Sequence, residues 1–152
     1  MRDPRLLAKP PVCRLGCLAL VRNPRGDVLL VDPDYMDGLI LPGGAARPNE
    51  PPHEAAGRHL AEQTGISLRL TDVLAVDYTP ADRYLERLNL VFDGGITGAQ
   101  PVAAPQRRSG LLGARFVPVK QLSAVMAPAQ AARVAEALAG RAVPLLLCGQ
   151  RA

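Results

Sequence analysis

Two short apolar runs open the chain after a basic, Pro-rich lead of residues 1–11, "MRDPRLLAKPP". "VCRLGCLALV" (residues 12–21) and "DVLLV" (27–31) are nearly continuous in hydrophobicity, and "RNPRGD" between them carries Asn-Pro and Gly-Asp turn chemistry. The pattern predicts a β-hairpin buried on both faces, with order beginning near Val12. "LILPGG" (39–44) reads as a brief strand entering a Gly- and Pro-rich loop.

A helix is predicted from Pro52, a residue favoured in a first turn, to Thr64, with Gly65 as its stop. "SLRLTDVLAVDYT" (67–79) and "RLNLVFDGGI" (87–96) read as two more strands, the second closed by Gly94-Gly95. "PVAAPQRRSG" (101–110) is irregular, "ARFVPV" (114–119) is a short strand, and "QLSAVM" with "AQAARVAEALAG" reads as helical. The apolar tail "RAVPLLLCGQRA" (141–152) has neither caps nor a clear period, so its pattern assigns it no element. Strands, a helix, more strands and a terminal helix imply an α/β fold with a mixed β-sheet between helices.

A chain of 152 residues suits one domain, with residues 1–12 as a tail or strand lead-in and 13–152 as its body. Net charge is +4, from 18 basic and 14 acidic residues without a long basic run, which suits anionic small molecules better than nucleic acid. With 3% aromatic residues and no Trp there is little for single-stranded nucleic acid to stack on. Apolar "CLALV" is too short to span a membrane, and the odd, unclustered Cys13, Cys17 and Cys148 point to reduced thiols. The expectation is a cytoplasmic protein that engages neither membrane nor nucleic acid.

The chemistry lies in "LPGGAARPNEPPHEAAGRHLAEQTGI", residues 41–66. Gly44 is followed after five residues by Glu50 and after seven more by Arg58, with Leu60, Glu62, Gly65 and Ile66 in fixed register behind it. On these residues the chain resembles the Nudix (MutT-like) hydrolases, whose signature is Gly, five residues, Glu, seven residues, Arg-Glu-aliphatic-any-Glu-Glu-any-Gly-aliphatic. The flanking "ALVRNPRGDVLLVDPDY", "LNLVFDGG" and "ARFVPV" extend the resemblance over roughly residues 13–125. It implies a Nudix α/β/α sandwich and a pyrophosphohydrolase of nucleoside diphosphates linked to another moiety. In that family a divalent cation, usually magnesium, is held by carboxylates on one helix face, and water attacks phosphorus in its field.

Two positions depart from the signature: His59 replaces the Glu after Arg58, and Gln63 the second Glu of the pair. At about 100° per residue, 59, 62 and 63 share an arc of about 100°, while Ala56, Leu60 and Thr64 lie beside it and face the core. The arc offers one carboxylate, one imidazole and one amide, so Glu62, His59 and Gln63 are the candidate metal ligands and Glu62 with His59 the candidate catalytic groups. Magnesium favours hard, charged oxygen ligands, which this set supplies poorly. Nor is there an acid in "QRRSGLLG" (106–113), where the family often keeps a further ligand or base.

Under the resemblance, Gly43 and Gly44 form a phosphate-approaching loop and Glu50 with Arg58 brace the box. Three readings remain open: a nucleotide-type small molecule hydrolysed weakly or not at all with magnesium; a non-catalytic binding or regulatory module; or an active hydrolase using manganese or zinc through His59 and Glu62. Glu62 has a plainer reading as well, in an exposed charge ladder with Glu54 and Arg58.

Overall fold

A computed structural model of the chain describes residues 10–102, 110–140 and 142–152. Most of the basic lead and of the irregular "PVAAPQRRSG" therefore lie outside the described residues. In chain order the elements are β1 (Cys13–Arg22), β2 (Val28–Pro33), β3 (Gly43–Ala45), α1 (Pro52–Thr64), β4 (Val73–Thr79), β5 (Glu86–Ile96) and β6 (Leu111–Val117). A 3-10 turn (Val119–Gln121), α2 (Leu122–Val125), α3 (Pro128–Leu138), β7 (Leu145–Leu147) and β8 (Gln150–Arg151) follow.

The strands form one mixed sheet in the order β6-β2-β1-β5-β4-β7-β8, with β3 added to β1. Alternation along β1 sends Leu20 to one face and Cys17, Ala19 and Val21 to the other. On the first face Leu20, Val91 and Leu146 pack with Leu122, Val134 and Ala137 from α2 and α3. On the second, Ala55, Ala56 and Leu60 of α1 pack against Leu29 and Phe92. This is the α/β/α sandwich with a mixed sheet that the sequence implies. Burying a Leu such as Leu60 completely contributes roughly 1.5–3 kcal/mol.

Helix α1 has the predicted ends. Pro52 occupies its first turn, and Gly65 closes it at φ 74° with its N–H donating to the Ala61 carbonyl at 2.9 Å. Thr64 is fully buried because its hydroxyl donates to the Leu60 carbonyl at 2.7 Å and accepts the Ile66 N–H at 3.2 Å.

The predicted hairpin forms at its turn but is short. β1 and β2 pair only next to their turn, at Arg22 and Val28. Residues 40–45 wedge between them: Ile40 bridges to Val31, the Pro42 carbonyl accepts the Ala19 N–H, and β3 pairs with Gly16, Cys17 and Leu18. β1 instead runs parallel to β5 along its length. The predicted strand 67–79 is ordered as β only from Val73, and β5 continues through Gly94-Gly95 to Ile96 with a register shift opposite Leu20 and Arg22. The tail supplies β7, parallel to β4, and β8 as its hairpin partner.

Candidate functional site

The box helix meets the sheet at β3. Arg58 grips Glu50 with both edges of its guanidinium, Nε to Oε2 and Nη2 to Oε1, each at 2.8 Å. Glu50 Oε1 also accepts the Arg47 N–H at 3.0 Å, which closes the turn whose Asn49 is left-handed at φ 61°. Hydrogen bonding to Arg58, then to the Arg47 backbone, lowers the Glu50 pKa from 4.5 to about 2. The same pairing raises that of Arg58. The pair links helix α1 to the loop that precedes it.

His59, Glu62 and Gln63 do share a face, and with Arg14, Tyr35, Gly43, Gly44 and Ala45 they line a cavity of about 340 Å³. Their bonding is informative. The Gln63 amide accepts the Gly43 N–H and donates to the Gly43 carbonyl, both at 2.9 Å. His59 Nε2 lies 2.9 Å from the Ala45 carbonyl. A carbonyl only accepts, so this contact requires the proton on Nε2, and the 3.4 Å approach of Arg58 to the same nitrogen is a weak contact between donors. Glu62 is half exposed, with Oε2 3.4 Å from Arg58 Nη1. That is half of the charge ladder: among the described residues Glu54 is not a partner of Arg58.

Gly43 and Gly44 belong to the short strand β3 rather than to a free loop. Gly44 is required by close approach, since a Cβ there would lie 2.6 Å from His59 Cε1. The imidazole thus lies close against Gly44 while its Nε2 bonds the next residue, Ala45.

The donor set is short of the charged oxygen ligands that magnesium favours. It presents one carboxylate and an amide already bonded at both ends, and among the described residues no group of three or more His, Cys, Asp or Glu could hold a metal ion. His59 offers a softer ligand only if it leaves the Ala45 carbonyl or uses Nδ1.

A second cavity, of about 490 Å³, shares Arg14, Tyr35, Gly43 and Gly44 with the first. Its floor is sheet: Arg14 and Leu18 of β1, Arg87 and Asn89 of β5, and Thr79 of β4. Gln130 and Arg133 of α3 form one wall, and Tyr35 and Met36 the rim. Arg133 is held by fully buried Asp77 at 2.6 Å, and the other Asp77 oxygen accepts the Gly149 N–H at 3.0 Å, so one carboxylate ties β4, α3 and the C-terminal turn together. Sequence reading missed this half of the site. Its only local signal is polar interruption of buried strands, Arg14 in "VCRLGC" and Asn89 in "RLNLVF".

The NUDIX domain model matches residues 14–138, and the chain belongs to this family. A Bacillus subtilis protein named "Putative 8-oxo-dGTP diphosphatase" is 33% identical over 96 residues, covering 63% of this chain and 62% of that protein. The chain therefore spans less than two thirds of that relative. Among solved structures, the MutT protein of Methanosarcina mazei superposes with a TM-score of 0.68 at 22% identity, covering 81% of this chain and 90% of that one. The NUDIX domain of Shewanella oneidensis NrtR, complexed with ADP ribose, superposes with a TM-score of 0.67 at 15% identity over 91% and 92% of the two chains. At these identities the structural likeness speaks for the fold. Among the described residues no helix is long and apolar enough to cross a membrane.

Proposed function

We propose that residues 13–152 form one Nudix domain that binds a nucleoside diphosphate linked to another moiety and whose magnesium-dependent pyrophosphohydrolysis is weak or lost. The observation that carries this reading is that His59 and Gln63, at two carboxylate positions of the signature, are spent on the backbone of Ala45 and Gly43. They fasten β3 to α1 instead of gathering charge for a cation. What remains is a cleft of the size that encloses small organic ligands, generally about 300–1,000 Å³, with arginines along it.

Several observations support a nucleotide-type ligand: family membership, the names of the relatives, and the glycine-bearing strand that lines both cavities. Unpaired Cys13, Cys17 and Cys148 suit a reducing cytoplasm. Calorimetry with ADP-ribose and with nucleoside triphosphates, with and without magnesium and paired with an assay of product release, tests the reading. Binding that needs no metal and is followed by little or no release is the expected result. Rapid magnesium-dependent release would overturn it.

A further inference from the structure

Arg14 and Arg87 stand side by side in the parallel pairing of β1 with β5, and both line the larger cavity. Like charges on neighbouring strands repel, so their placement on one cleft floor calls for an anion between or above them. Their bonding is unequal. Arg87 approaches Asp82 at 3.4 and 3.5 Å, donates to the Leu85 carbonyl at 3.1 Å and covers the Tyr84 ring. Arg14 makes no hydrogen bond or ion pair with any described residue.

Two residues along the same strands, on the same face, comes Asn89. It is 6% exposed, and its amide has no hydrogen-bond partner among the described residues. Room for it exists because its register partner is Gly16, where a Cβ would collide with Asn89 Oδ1. Asn89 lines the cavity, so its amide can donate to a ligand held there. The acids nearby are already engaged, Asp82 by Arg87 and Asp77 by Arg133 and Gly149. The uncommitted charge of the floor is that of Arg14, which also lines the cavity over His59, Glu62 and Gln63.

We infer that Arg14, Arg87 and Asn89 form an anion site that holds the ligand's diphosphate without a divalent metal. The inference rests on the binding reading above and names its source of positive charge. A guanidinium offers planar, paired N–H donors matched to phosphate oxygens, and the Asn89 NH₂ adds a neutral donor beside them. Fixed cations on the sheet thereby take over the neutralisation that a carboxylate-bound metal gives at a complete box.

The test is calorimetry in EDTA with ADP-ribose and, separately, inorganic pyrophosphate, on wild type, Arg14→Ala and Arg14→Lys. Arg14 is exposed, and matching thermal melts confirm that the variants fold. Loss of charge-assisted bonds in Arg14→Ala should weaken both ligands by about tenfold or more, with Arg14→Lys in between. Equal binding by wild type and Arg14→Ala overturns the assignment while leaving the binding reading intact. Loss confined to ADP-ribose overturns the diphosphate part, because Arg14 would then touch another portion of the ligand. Wild type that binds neither ligand until magnesium is added removes the binding reading, and this inference with it.

Discussion

The side-chain amide of Gln63 forms a closed pair of hydrogen bonds with the backbone of Gly43, accepting its N–H and donating to its carbonyl, each at 2.9 Å. An amide does both, whereas an ionised carboxylate only accepts. Gln63→Glu keeps the acceptor but turns a carboxylate oxygen toward the Gly43 carbonyl, so one bond is replaced by repulsion. Denaturant titration at neutral pH should show a loss of about 1–3 kcal/mol. Unchanged stability would mean that the amide does not fasten β3.

Glu50 gives a pH prediction. Its folded pKa, about 2, lies below the ordinary 4.5, so the stability it contributes through Arg58 is full above pH 4.5 and fades as pH falls toward 2. Wild type should therefore exceed Glu50→Gln in stability at neutral pH, and the two should converge across that window. Urea titrations at several pH values read the difference directly.

His59 separates the remaining metal readings. With its Nε2 donating to Ala45, His59→Ala should loosen β3 while leaving any residual hydrolysis with manganese or zinc unchanged. An assay in which those metals drive turnover in wild type and His59→Ala abolishes it would establish the soft-metal hydrolase instead.

Asp77 is fully buried and its oxygens serve both Arg133 and the Gly149 N–H. Removing one partner of a buried pair leaves the other charge uncompensated, so Asp77→Ala should cost about 3–5 kcal/mol. A thermal melt of the variant, expected to be much lower than that of wild type, checks it.

What could be read from the sequence follows from where the determining contacts lie. The ends of α1 were legible because Pro52 and Gly65 act within one turn of chain. The shared face of His59, Glu62 and Gln63 was equally legible, since helical period alone sets it. The bonds of those side chains were not, because Ala45 and Gly43 reach them only once β3 has inserted beside β1. That insertion also explains why the hairpin pairs only beside its turn: turn chemistry at "RNPRGD" fixes a reversal, whereas pairing beyond it depends on a competing segment. Likewise the three-residue β7 carries too little pattern to announce itself and forms by pairing with β4, far away in sequence. Arg14 and Arg87 become neighbours only through the parallel β1–β5 register.

The central claim is that this box fastens the fold and no longer assembles a magnesium site. Its most direct test is product release from ADP-ribose and a panel of nucleoside triphosphates with magnesium, by wild type beside the double variant His59→Glu, Gln63→Glu. Little or no turnover by wild type, with a gain on restoring the two carboxylates, is the predicted result. Rapid magnesium-dependent turnover by the wild-type chain would contradict it.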